Sequence, residues 1–309
     1  MKTAFLFPGQ GSQKVGMGKD FYENTTLAKE LFEIAEDSLK VKLKKICFEG
    51  PEEELQKTEN TQPALLTVSY IAFKLFEGNL PDYAAGHSLG EFSAYASANT
   101  LEFPTALKIV RKRGEFMQDA VPLGKGTMAA IIGEEIEKIK KVIDKVDGIV
   151  EVANWNTHEQ IVISGEINAV NKTIELLQPK KHVILKVSAP FHSSLMVEAE
   201  RKLSEVLDTT NFNDPSFPIL RNIDYEIVKD KKMAREGLKK QVSSGVMWYP
   251  TMKKLMEELE VDNFIEFGEG RVLTNMARKI ARHLNTEIKV FNISRMKSLE
   301  ETINEIQKA

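Results

Sequence analysis

A chain of 309 residues that is 42% hydrophobic and 28% charged can bury a sizeable core, and its length suggests about two domains. The formal charge of −3 and a pI near 6.1 give no overall basic field, which argues against nucleic acid as the main partner; lysine clusters such as Lys40, Lys42, Lys44 and Lys45 read as solvated faces. No apolar run is long enough to span a membrane, no signal-peptide pattern is present, and a single cysteine, Cys47 between Ile46 and Phe48, reads as a small core residue in a reducing compartment. A soluble cytoplasmic protein is expected.

Strand-like apolar runs alternate with amphipathic helical ones, the pattern of an α/β fold with a largely parallel sheet. The first strand covers residues 3–7 and runs into Pro8-Gly9-Gln10-Gly11-Ser12-Gln13. Such a turn lies at the C-terminal end of a strand, where ligands of open α/β sheets collect. Tyr83-Ala84-Ala85 is short and apolar and leads into Gly86-His87-Ser88-Leu89-Gly90, after which residues 89–98 are rich in small side chains and carry Glu91 in a first helical turn. Residues 104–121 form a helix with Pro104 near its start.

The rhythm then changes. Strands at 127–133, 149–154, 160–164 and 182–187, with helices at 134–146 and 167–177, give the order β-α-β-β-α-β. That is a split βαβ, ferredoxin-like unit, expected here as a subdomain over residues 125–189 inserted into a larger domain made of residues 1–124 and 190–309. Strands at 217–222, 263–267 and 287–293 complete the larger domain. A cleft between the two units is the expected site.

Gly86-His87-Ser88-Leu89-Gly90 reads as G-x-S-x-G, a turn that lifts a serine between a strand and a helix. Ser88 is therefore the candidate nucleophile, and it needs a base, because a serine hydroxyl is a poor nucleophile at neutral pH. Five histidines are available. His87 precedes the serine, so its side chain should point elsewhere; His158, His182 and His283 read as surface residues. His192, in Ala189-Pro190-Phe191-His192, lies where the inserted unit returns the chain to the main domain and is placed to face a cleft. No spacing suggests a zinc site. On the 104–121 helix, Ala106, Ile109, Val110, Met117 and Ala120 form one face, and Arg113 falls in its middle. A buried arginine must be paired, which leaves two readings open: a salt bridge to a core carboxylate, or a guanidinium fork waiting for an anionic substrate.

Phe7-Pro8-Gly9-Gln10-Gly11-Ser12-Gln13, Thr61-Gln62-Pro63-Ala64, Gly86-His87-Ser88-Leu89-Gly90-Glu91, Arg113-Gly114 and Ala189-Pro190-Phe191-His192 stand in an order that resembles the malonyl-CoA:acyl carrier protein transacylases over essentially the whole chain. The resemblance implies an α/β-hydrolase-like domain with a ferredoxin-like insertion. It implies that Ser88 is acylated, that His192 is its base, that Arg113 pairs with the malonyl carboxylate, and that the N–H groups of Gln10 and Leu89 form an oxyanion hole. It implies further that a backbone carbonyl orients the histidine, with Gln241 at the matching position, seven residues before Trp248. Asn154 and Gln62 would line the acyl-donor cleft, and Phe191 would limit space at the α-carbon. Gly245, and His158-Glu159, stand where such relatives often have proline and proline-glycine.

The activity so implied transfers a malonyl group from malonyl-CoA to the phosphopantetheine thiol of acyl carrier protein by two half-reactions, in fatty acid biosynthesis, by a monomer without metal or redox cofactor. A freestanding acyltransferase serving a polyketide assembly line is the nearest alternative. A serine esterase would share the elbow but would not need Arg113 in an apolar stripe, and a non-catalytic carrier-binding module would dispense with Ser88 or His192.

Overall fold

The computed structural model describes residues 1–122 and 124–307; Leu123, at the end of the first expected stretch of the large domain, and residues 308–309, at the end of the second, lie outside the described residues. Among the described residues ten strands follow in chain order: β1 (Lys2–Phe7), β2 (Tyr83–Gly86), β3 (Gly126–Ile132), β4 (Val150–Thr157), β5 (Gln160–Glu166), β6 (Lys181–Ile184), β7 (Ile219–Leu220), β8 (Ile227–Val228), β9 (Val261–Phe267) and β10 (Lys289–Ile293). They form a six-stranded sheet in the order β10-β9-β1-β2-β7-β8 and a four-stranded sheet in the order β4-β5-β3-β6. The large sheet is parallel except for β8, and the small one is antiparallel throughout.

A strand covered on both faces needs apolar side chains on both, which is why residues 4–7 of β1 are a continuous, buried apolar run. Phe5 and Phe7 enter one core, where Phe267 packs at 4.7 Å and 5.8 Å between ring centroids; Ala4 and Leu6 enter another on the opposite face. Helices Thr58–Leu75, Leu89–Ser97 and Phe103–Asp119 contribute to the first core, and helix Val272–Leu284 to the second. In the small sheet, Ala129, Ile131, Ile161 and Ile163 bury against helices Ile136–Ile143 and Ile167–Leu177, while Met128, Ala130 and Val162 join the core of the main body. Apolar burial on both faces thus fixes the small sheet against the main body.

The expected β-α-β-β-α-β order is the order observed, with shifted ends. The strand expected at 217–222 contracts to β7, because Pro218 has no N–H to donate and the chain then turns so that Arg221 N–H reaches Glu226 O, pairing β8 antiparallel. The strand expected at 182–187 contracts to β6, as the chain leaves the sheet's edge toward Pro190. Strand β4 runs on to Thr157 through an irregularity between Val152 and Asn154. Cys47 is fully buried, as expected for a core residue. Among the described residues no helix is long and apolar enough to cross a membrane.

Candidate active site

The elbow is set by close packing of backbone on backbone. Ser88 sits at φ 51°, ψ −109°, a conformation that a residue with a side chain adopts only when its surroundings enforce it. A Cβ on Gly86 would lie 1.9 Å from the carbonyl carbon of Gly90, and one on Gly90 would lie 1.9 Å from Phe7 O, so both positions require glycine. Asn222 locks the turn from the opposite side. Its Oδ1 accepts the Ser88 N–H at 2.7 Å, and its Nδ2 donates to Gly86 O at 2.6 Å.

Ser88 Oγ lies 2.7 Å from His192 Nε2, although 104 residues separate them. The other ring nitrogen, Nδ1, is 3.1 Å from Gln241 O and 3.1 Å from Ser244 O. Carbonyl oxygens only accept, so Nδ1 carries the ring proton and Nε2 is left to receive the serine proton. His192 itself has a positive φ of 57°, in a turn closed by Ser193 Oγ donating to Pro190 O at 2.7 Å. Burial, and then the nearby Arg113 charge, push its pKa from 6.5 down to about 3, so the ring is neutral at physiological pH. The segment bearing its acceptors is tied down by β4: Trp155 N–H donates to Val246 O at 3.0 Å and Val246 N–H to Ala153 O at 2.8 Å.

Arg113 is 1% exposed, and its guanidinium makes no salt bridge among the described residues. Its partners are neutral: NH1 donates to Gln62 Oε1 at 2.8 Å, and NH2 donates to Gln241 Oε1 at 2.9 Å and to Ser88 Oγ at 3.1 Å. Its guanidinium carbon, Cζ, lies 5.3 Å from the centre of the Phe92 ring. Burial lowers its pKa to about 10, against the opposing charge of Glu91, so it stays cationic at neutral pH. Of the two readings the sequence left open, a salt bridge to a core carboxylate is not formed among the described residues.

Ser88, His192 and Arg113 line one cavity of about 120 Å³ with Gln10, Leu89, Asn154 and Phe191. The hydrogen bonds closing the two flanking turns use the N–H groups of Ser12, Gly90 and Glu91 and leave those of Gln10 and Leu89 without an acceptor among the described residues. A larger, shallower groove of about 760 Å³ lies against helix Val272–Leu284 and holds no comparable nucleophile and base. Gln62 is 1% exposed and not part of the cavity wall; it stands behind Arg113. The Gln241 side chain, expected to matter only through its backbone, also holds Arg113. Sequence reasoning missed Asn222, Ser244 and the role of Glu91, because nothing local marks an asparagine or a carbonyl more than a hundred residues from the serine. His87 points away from the serine, with Nε2 2.8 Å from Asn156 Oδ1. His158 and His283, read as separate surface residues, stack at 3.7 Å between centroids.

A strained serine hydrogen-bonded to a neutral histidine, beside a cation without a charged partner among the described residues, is the arrangement of a nucleophile with its base and belongs to the class of serine-dependent acyl-transfer enzymes. Residues 4–299 match the family model described as acyl transferase domain. The chain is 46% identical over 293 residues to the malonyl CoA-acyl carrier protein transacylase of Bacillus subtilis (strain 168), covering 92% of each chain. Its fold is similar to that of FabD from Acinetobacter baumannii, with a TM-score of 0.94, 38% identity and coverage of 99% and 98%. It is equally similar, at 0.94 and 35% identity with coverage of 99% and 100%, to a malonyl-transacylase solved in complex with its type II PKS acyl-carrier protein. The chain belongs to the acyl transferase family and, within it, to the malonyl-CoA:acyl carrier protein transacylases.

Proposed function

We propose that this protein transfers the malonyl group of malonyl-CoA to the phosphopantetheine thiol of an acyl carrier protein through malonyl-Ser88. The observation that carries the reading is Arg113: a buried guanidinium bonded, among the described residues, only to neutral acceptors and touching the serine oxygen suits an acyl chain ending in a carboxylate. His192 Nε2 takes the Ser88 proton as Oγ attacks the thioester carbonyl. The N–H groups of Gln10 and Leu89 receive the negative charge on the carbonyl oxygen, each such donor contributing about 3 kcal/mol by comparison with other acyl-transfer sites. The C–S bond then breaks, His192 returns the proton to the departing coenzyme A sulfur, and malonyl-Ser88 remains. In the second half-reaction the carrier thiol gives its proton to His192 and attacks the ester, and Ser88 recovers the proton. Each thiol takes its turn at one site, so the kinetics are ping-pong.

The malonyl carboxylate does more than anchor. Arg113 is one cause of the low basicity of His192, so a carboxylate paired with Arg113 offsets that charge and makes the base stronger when the right acyl group is bound. Asn154 and Phe191 line the donor cleft, with Phe191 restricting branching at the α-carbon. The large sheet is read as an α/β-hydrolase-like domain over residues 1–124 and 190–309, and residues 125–189 as a ferredoxin-like subdomain closing the cleft. The protein is read as a cytoplasmic monomer with no nucleic-acid partner. Fatty acid synthesis is the favoured setting, and the similarity to the transacylase bound to a type II PKS carrier keeps polyketide synthesis as a second one.

Intact-mass measurement after mixing with malonyl-CoA tests the reading. Wild type should gain one malonyl group and Ser88→Ala none; an adduct formed by Ser88→Ala at the wild-type rate would refute the assignment.

A further inference from the structure

Helix Leu89–Ser97 buries a carboxylate that the chemistry above does not use. Glu91 is 0% exposed and makes no salt bridge among the described residues, a costly placement unless other polar groups compensate it. Its Oε2 accepts from Gln241 Nε2 at 2.8 Å and from the Asn222 N–H at 3.1 Å. Each of those residues has a second end on the catalytic machinery. Asn222 brackets the elbow through Ser88 N–H and Gly86 O. Gln241 Nε2 also donates to Ser88 O at 2.9 Å, which leaves its Oε1 turned to Arg113 NH2 at 2.9 Å.

An amide can face a cation only with its oxygen. A rotation of the Gln241 amide by half a turn would set NH2 against guanidinium, donor against donor, and would release Arg113 on that side. A carboxylate has only acceptors, so it fixes which end of the amide faces inward. Burial pushes the Glu91 carboxyl up to about 7, while Gln241, Asn222, Arg221 and Tyr95 favour its ionised form.

We infer that Glu91 is a positioning residue for malonyl transfer: by accepting from Gln241 and Asn222 it turns Gln241 Oε1 toward Arg113 and so aims the guanidinium at the acyl site. The inference rests on Arg113 as the partner of the malonyl carboxylate, and it separates loss of aim from loss of fold, because acetyl transfer needs the elbow and the base but not Arg113.

The experiment measures the rate and half-saturation of acyl-enzyme formation by rapid-quench intact mass, with malonyl-CoA and with acetyl-CoA. The proteins are wild type, Glu91→Leu, Glu91→Gln, Arg113→Ala and the Glu91→Leu/Arg113→Ala pair. In Glu91→Leu the malonyl-to-acetyl ratio should fall about tenfold, the change that loss of one hydrogen bond to a charged group brings. Glu91→Gln keeps an acceptor oxygen at the same reach and should hold the ratio within about threefold of wild type, and in the Arg113→Ala background Glu91→Leu should leave the ratio unmoved. Glu91→Met replaces Glu91→Leu if the latter does not fold. Equal losses with both donors, or a Glu91→Gln ratio as low as that of Glu91→Leu, would overturn the inference. A wild type that forms no malonyl adduct would instead overturn the functional reading beneath it.

Discussion

Replacing Arg113 by alanine should convert a malonyl-selective enzyme into one that scarcely distinguishes malonyl from acetyl. The structure sets the magnitude. The guanidinium has five N–H groups; three bonds are made, to Gln62, Gln241 and Ser88, and Nε has no partner among the described residues. A malonyl carboxylate can therefore add one or two charge-assisted hydrogen bonds, each worth about 1.5 to 3 kcal/mol. At about 1.4 kcal/mol per tenfold in rate, the wild-type preference should lie between roughly 10-fold and 10⁴-fold. Acetyl leaves the same buried cation without an anion. Deleting the side chain removes both the reward for malonyl and the penalty for acetyl, so the ratio should collapse to within about threefold of unity, mainly through loss of the malonyl rate. The assay is a competition in which malonyl-CoA and acetyl-CoA are offered together and the two acyl-enzymes are resolved by mass, with circular dichroism confirming the fold. An unchanged ratio in folded Arg113→Ala would show that Arg113 is a structural residue and would refute the reasoning.

His192→Ala should slow both half-reactions by about 10² to 10⁴-fold, the usual contribution of a positioned base, whereas Gln241→Ala keeps the carbonyl that orients His192 and should cost malonyl transfer only about tenfold through the freed Arg113. Steady-state rates decide between them; equal losses would mean that the Gln241 side chain is as important as the base. The His192 ring should titrate near 3 rather than 6.5, and higher in Arg113→Ala, since burial remains but the neighbouring cation is gone. The unfolded chain binds this proton below about 6.5 and the folded one does not, so the stability contributed by the neutral ring is present above that pH and lost as pH falls toward 3. Ring-proton NMR shifts against pH check this, and a wild-type midpoint near 6.5 would contradict it. Gly90→Ala should destabilise by about 3 kcal/mol, the upper end of overpacking costs, because the added Cβ meets the backbone oxygen of Phe7 and not a side chain that can move. An unchanged denaturation midpoint would show that the elbow has slack.

Local chemistry made much of the molecule legible in the sequence. Periodicity located β1, β9 and β10 and the β-α-β-β-α-β unit, because each element's burial repeats at its own spacing. Glycines two residues either side of Ser88 announced the elbow, since only residues without a side chain tolerate backbone at 1.9 Å from a Cβ position. An arginine in an apolar stripe announced a buried cation. What it would meet there was beyond the sequence: Gln62 and Gln241 lie 51 and 128 residues away from it, and their amides show no local pattern. The same is true of the Ser244 carbonyl that joins the expected Gln241 carbonyl in setting the histidine tautomer, of Asn222 across the elbow, and of Glu91, whose helix position reads as an ordinary first-turn acid. The two-residue strand β8 also escaped, and β7 came out shorter than expected, because a proline and a turn, not alternation, set their extent. Sequence determines a residue's chemical type and its face on an element, whereas partner and orientation come from the packing of distant elements. In this chain that packing makes a polar network around one serine.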